Sequence, residues 1–167
     1  MTAIDGLTQI PVRLDFDAHA DGFARALAHL DRAATKELDK VDFDPHLREL
    51  VRIRASQLNG CAYCIDMHSK DARALGESEL RLYELDAWRE TPFYTERERA
   101  ALAWAEAITE VAEGHVPDEV FEETKKQFSD KEIVDLTLAA AMINLWNRVA
   151  IATRAVPGRY KAAVAQA

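Results

Sequence analysis

Two helical runs meet at Asn59-Gly60 with no residues to spare between them. The first opens at Asp44-Pro45, with Asp44 placed to cap and Pro45 suited to the first helical position. It closes at Asn59-Gly60, a pair suited to the left-handed conformation that ends helices. The second begins at or near Cys61 and runs to about Leu75, with Gly76 as its stop. A joint this tight folds the second helix back beside the first. The chain is therefore committed to a helical hairpin, and that hairpin carries its two cysteines.

Helical signals continue on both sides. Phe23, Leu27 and Leu30 recur at intervals of three and four from about Asp21 onward, with Ala24, Ala28 and Ala34 among them. Ser78 is placed to cap a helix reaching about Arg89, and Thr95-Glu96-Arg97-Glu98 reads as a capping box opening a long helix to near Gly114. Pro117-Asp118 starts a short helix that ends before Ser129. Ser129-Asp130-Lys131-Glu132 then caps the apolar run Ile133 to Ala155, and Pro157-Gly158 ends that run. Strand-like alternation is confined to Gln9 to Phe16, where Pro11 interrupts it. The expected fold is all-α, a single-domain helical bundle over residues 21–167 preceded by an N-terminal extension over 1–20.

Charge and apolar content bound the partners. A formal net charge of −8 argues against nucleic acid and against anionic membranes, both of which call for a basic face. Asn144, Asn147 and Arg148 break the most apolar window, so no membrane span is expected. Met1 to Asp21 lacks a basic leader followed by an apolar run, so a cytoplasmic chain is expected. In that compartment a cysteine pair reads as redox or metal chemistry before it reads as a structural staple.

Cys61 and Cys64 stand three apart, close enough on a helical turn to close a disulfide. Cys61 falls at the helix start, where free N–H groups and the helix dipole favour an anion. Cys64 and His68 are four apart and share a face. Glu49, on the preceding helix, is placed to meet His68 across the hairpin. A carboxylate holding an imidazole that faces a thiol is the arrangement that activates a nucleophile. Cys64 is the first choice for the attacking thiolate, and Cys61 stays open because of its place at the helix start. A zinc site is the weaker reading, because Cys61 and His68 are seven apart on one helix, about 10 Å along its axis.

The stretch Leu50 to Arg73 resembles the core of the carboxymuconolactone decarboxylase superfamily, in particular its alkylhydroperoxidase D-like (AhpD-like) branch. That branch carries a glutamate, eleven residues, then C-x2-C-x3-H, matched here by Glu49, Cys61, Cys64 and His68. The resemblance continues through Trp88-Arg89-Glu90, Glu98 to Ala107, Phe128-Ser129-Asp130 and Asn144 to Arg148. It implies an all-α subunit that assembles into a homo-oligomer, a trimer or hexamer. It also implies a thiol-dependent peroxidase that needs no cofactor beyond its cysteines. The hydroperoxide oxidises one cysteine to a sulfenic acid, the second closes a disulfide, and a thioredoxin-like or lipoyl-type dithiol restores the pair. Dedicated members carry a histidine between the cysteines where this chain has Tyr63. The decarboxylase branch lacks the cysteine pair, so lactone decarboxylation is not expected. A redox-sensing oligomer that is not an enzyme is the alternative use of the same pair.

Among other residues, Ser56 is placed to orient Glu49 or to stand in solvent. Tyr63 is read chiefly as a packing ring, and Asn144, Asn147 and Arg148 as buried hydrogen bonders or subunit contacts. Trp88, Trp104 and Trp146 are read as core or interface anchors, and His19, His29, His46 and His115 as surface histidines.

Overall fold

Each helix start and stop read from the hairpin is present in the structure, a computed structural model that describes residues 10–162. Helix α3 spans Pro45–Asn59, and the Asp44 side chain accepts from the His46 N–H at 2.8 Å. Gly60 takes φ 69°, a left-handed conformation that costs a residue with a Cβ more, and Cys61 N–H then bonds the Ser56 carbonyl at 2.9 Å. Helix α4, Ala62–Leu75, follows at once and ends at Gly76, φ 100°. Before the hairpin lie α1 (Phe16–His19) and α2 (Asp21–Lys40). After it come α5 (Glu79–Tyr83), α6 (Glu96–Thr109), α7 (Val111–Gly114), α8 (Asp118–Lys125) and α9 (Asp130–Thr153). No strand occurs among the described residues, and residues 10–15 run as coil alongside the end of α9, with Arg13 N–H on the Thr153 carbonyl.

Helices α6 and α9 both open with complete capping boxes. Thr95 and Ser129 each accept from the N–H three residues on, and Glu98 and Glu132 reach back to the cap N–H at 2.7 Å. Replacing Thr95 or Ser129 by alanine is expected to cost about 1 kcal/mol each, read as a shift in the urea midpoint with an unchanged slope.

Three stretches depart from their expected course. The segment 78–89 does not form one helix: α5 stops at Tyr83 and a 3-10 turn covers Leu85–Ala87. In that tighter turn residues three apart eclipse, which lets Leu85 and Trp88 enter the same core cluster with Leu50, Ile53, Tyr94 and Leu102. The run 95–114 breaks after Thr109, whose hydroxyl takes the Ala105 carbonyl at 2.7 Å and so competes with the last helical turn. On α2, Leu27 is buried but Phe23 and Leu30 remain more than half exposed, because the chain packs only one side of that helix.

Helix α3 is the centre of the bundle and touches α4, α6 and α9. Its polar residues are therefore buried as well as its apolar ones: Glu49, Arg54 and Ser56 all lose solvent and must find partners inside. Arg54 ties α3 to α6 through Glu106, with Nε to Oε1 at 2.6 Å. Trp88 Nε1 donates to the same oxygen at 2.8 Å, and Arg89 reaches Oε2 at 2.6 Å. By length and composition α9 passes for a membrane-crossing helix. Here it packs against α2, α3 and α6 and carries buried Asp135, Asn144 and Asn147, as a core helix does.

Candidate active site

The hairpin brings the four expected residues together as two pairs, Glu49 with His68 and Cys61 with Cys64, and Cys64 and His68 line one cavity. Glu49 from α3 and His68 from α4 are both buried, and His68 Nδ1 lies 2.8 Å from Glu49 Oε2. Arg52 Nη1 holds the other carboxylate oxygen at 2.9 Å, and Arg48 Nε stands 3.8 Å away. Burial pushes the Glu49 carboxyl up, but the His68 hydrogen bond and the charges of Arg52 and Arg48 outweigh it and hold the group below its usual range. An ionised carboxylate only accepts, so Nδ1 donates to it, and in the tautomer this fixes Nε2 is the acceptor.

Cys61 occupies the N-cap of α4 and Cys64 its first turn. Both are free thiols, almost wholly buried, with their sulfurs 2.8 Å apart and sharing a hydrogen bond. That shared bond draws Cys61 down to about 7 against the opposing effect of burial. The backbone N–H groups of Cys64 and Tyr63 and the Asn147 side chain add to it. The same bond, with burial and the charge on Cys61, pushes Cys64 up. The two shifts favour a thiolate at Cys61 over one at Cys64, the first choice from sequence. The helix start supplies donors to Cys61, as its position suggested, and Cys64 becomes the donor of the pair.

The two sulfurs open to different sides. A cavity of about 350 Å³ is lined by Cys64 and His68 with Tyr63, Met67, Ile143 and Trp146, and by the charged side chains of Asp17, Asp31, Arg32 and Arg52. A second, of about 420 Å³, is lined by Cys61 with Gly60, Ala62, Ile151 and Pro157. Tyr63 walls both.

Several residues take roles that differ from their sequence reading. Ser56 does not orient Glu49; it is fully buried, donates to the Arg52 carbonyl at 2.7 Å, and accepts from Asn147 Nδ2 at 3.0 Å. Asn144 and Asn147 are buried hydrogen bonders, as read, both joined to Asn59 Nδ2 at 2.9 Å. Arg148 instead lies exposed and folds back on Asn144. Trp88 and Trp104 are core residues, whereas Trp146 is half-buried and faces the Cys64 cavity.

Two residues near the relay carried no recognisable sequence signal. Asp71, one turn beyond His68, accepts from the Tyr160 hydroxyl at 2.8 Å. Burial pushes the Asp71 carboxyl up against that bond, and burial with Asp71 pushes the Tyr160 phenol up to about 12. Donor atoms of Glu49, His68 and Asp71 lie within 4.8 Å of one another, the kind of grouping that can hold a metal ion. Two of its atoms are already engaged, His68 Nδ1 with Glu49 and Asp71 Oδ1 with Tyr160.

Comparison with known proteins places the chain in a family and a fold. Residues 21–107 match the carboxymuconolactone decarboxylase family. The uncharacterized protein YdfG of Bacillus subtilis (strain 168) is 50% identical over 105 residues, 63% of this chain and 71% of that protein. The uncharacterized protein YnjA of Escherichia coli (strain K12) is 33% identical over 110 residues, and the matched stretch spans 59% of it. Among solved structures, a protein of unknown function from Agrobacterium tumefaciens, provisionally assigned to antioxidant defence as AhpD, superposes with a TM-score of 0.84. It is 37% identical, and the match covers 90% of this chain and all of that one. On sequence and on fold, the chain belongs to the carboxymuconolactone decarboxylase family, in its AhpD-like group, a family that includes enzymes.

Proposed function

We propose that this protein is a thiol-dependent peroxidase that cycles Cys61 and Cys64 between dithiol and disulfide. The observation that supports it is the single cavity in which Cys64 meets His68, with the ring held by the Glu49 carboxylate. A hydroperoxide entering there finds a thiol and a base together. Cys64 Sγ attacks the terminal peroxide oxygen, and its proton passes by way of His68 Nε2 to the leaving alkoxide. The O–O bond breaks, giving Cys64 sulfenic acid and an alcohol.

Cys61, already ionised near neutral pH, then attacks the Cys64 sulfur. The S–O bond breaks, and hydroxide leaves as water with a proton from solvent, in place of the one Cys61 released on ionising. A dithiol reductant, thioredoxin-like or of the lipoyl type, returns the pair to its starting state in a reducing cytoplasm. The division of labour suits the two environments: Cys64 needs a base because its proton is held, whereas Cys61 needs none. We include in this reading a homo-oligomer, trimer or hexamer. Exposed Phe23 and Leu30 on α2 and Val134 and Leu138 on α9 support it as apolar surface that the single chain leaves open.

Thiol titration with tert-butyl hydroperoxide tests the reading. Wild type is expected to lose two thiols per chain and to turn over with dithiothreitol. Cys61→Ser is expected to stop at a sulfenic acid that dimedone traps on Cys64, and Cys64→Ser to show none. Two thiols surviving excess hydroperoxide would end the proposal. One stoichiometric oxidation that changes the assembly without turnover would mark a redox sensor instead.

A further inference from the structure

Asn147 on α9 meets Asn59 and Ser56 at the end of α3 that leads into Cys61, and the orientation of its carboxamide is determined by those partners. It is fully buried. Oδ1 accepts from Asn59 Nδ2 at 2.9 Å, so that end of the amide is oxygen. Nδ2 faces Ser56 Oγ at 3.0 Å, and Ser56 spends its own hydrogen on the Arg52 carbonyl, so Nδ2 is the donor there. One amide hydrogen is thereby used and one remains, and a buried donor requires a partner. Ile143 and Ala150, four residues before and three after on the same helix face, pack directly on Cys61 and Cys64. Asn147 lies on that face between them, its Ser56 partner accepts the Cys61 N–H through its carbonyl at 2.9 Å, and the Asn147 side chain acts on both thiols to draw them down.

We infer that Asn147 is the shared hydrogen-bond donor of the cysteine pair, holding the thiolate on Cys61 at rest and on Cys64 as the negative charge moves between the sulfurs. The inference rests on the dithiol–disulfide cycle proposed above and deepens it. Disulfide sulfurs are weak acceptors and thiolates are strong ones, so the donor stabilises the reduced pair over the oxidised one. It thereby makes the disulfide easier to reduce, by the same logic that makes a disulfide with a stabilised reduced form a strong oxidant.

The test uses two measurements that need no peroxidase activity. The first is the pH dependence of iodoacetamide alkylation. The second is the equilibrium with dithiothreitol, in which the reagent's two thiols close to a cyclic disulfide as the Cys61–Cys64 disulfide is reduced. Asn147→Leu keeps the volume and removes the donor. The pH of half-maximal alkylation is expected to rise by about one unit, which slows alkylation roughly tenfold at pH 6. The dithiothreitol equilibrium is expected to move about tenfold toward the protein disulfide, or about 30 mV for a two-electron couple.

Asn147→Asp, which keeps the acceptor for Asn59 and places a carboxylate near the sulfurs, should raise the alkylation pH at least as far. It serves if the leucine variant does not fold. Thr109→Val cuts the far end of the network, where Asn144 Nδ2 reaches Thr109 Oγ1 at 2.9 Å, and should lower the melting temperature while leaving both readings in place. Apart from the carboxylate that Asn147→Asp itself adds, the charged and titratable neighbours of the sulfurs are the same in every variant: Tyr63 and His68 of α4, Glu49 and Arg52 of α3, Asp31 and Arg32 of α2, Asp17 of α1 and Arg154 after α9. A folded Asn147 variant with wild-type alkylation pH and wild-type dithiothreitol equilibrium would overturn the assignment, whether or not the protein reduces peroxides.

Discussion

Glu49→Gln is expected to slow oxidation of the cysteine pair by tert-butyl hydroperoxide about 10²–10⁴-fold at pH 7. Glutamine keeps the shape and removes the charge. A carboxylate accepts only, which forces the hydrogen onto His68 Nδ1 and leaves Nε2 as the acceptor of a ring that shares its cavity with Cys64. A carboxamide can donate as well, so it permits the opposite tautomer, in which Nε2 carries the hydrogen and no longer takes the Cys64 proton. It also withdraws the negative charge that stabilises an imidazolium as that proton arrives. Stopped-flow measurement of thiol loss, with circular dichroism as the check on folding, reads the effect. A rate within threefold of wild type would show that the relay does not move the proton of Cys64.

Glu106→Leu is expected to cost about 3–5 kcal/mol, a large share of the stability of a domain this size. Its carboxylate is the meeting point of Arg54, Arg89 and Trp88 Nε1, and it joins α3 to α6 next to the core cluster of Leu50, Ile53, Leu85 and Leu102. Removing it leaves the Arg54 guanidinium buried with only Asp86 and Gln57 to serve it. The penalty is thus that of a stranded cation rather than the worth of the pair. Arg54→Met combined with Glu106→Leu should recover most of the loss, because an apolar pair of similar volume removes the stranded charge. Urea unfolding of the three variants checks this, and a double variant no more stable than Glu106→Leu would contradict it.

The same carboxylates set the acid limit. Both Glu49 and Glu106 are held below their unfolded value of 4.5, so the unfolded chain binds protons more readily as the pH drops. Their contribution is full above about 4.5 and is lost as the pH falls through the depressed folded values. Stability should therefore decline below pH 4.5, and the decline should be shallower in Glu106→Leu.

Turn and cap chemistry acts between residues a few positions apart. For that reason Asp44, Gly60, Gly76, Thr95 and Ser129 announced the helix ends before any packing was known. The meeting of Glu49 with His68 was legible for a related reason. A two-residue joint leaves the returning helix one place to go, and helical rise then sets which residues come level. The course of 78–89 was not legible, because Leu85 and Trp88 adopt a 3-10 turn only in response to a core built by Leu50, Ile53 and Leu102 from other helices.

Local chemistry in the sequence thus settled the hairpin and the cysteine spacing and offered the acid–imidazole pair as an expectation, which the packed helices realise. Only the tertiary structure decided which thiol is drawn down and which is pushed up. Asn147 lies 83 residues beyond Cys64 along the chain. It reaches the site because α9 packs on α3, and no local spacing encodes that approach. The proton balance of two touching thiols depends on every donor and on the burial around them, and those are set only when the last helix closes over the first hairpin.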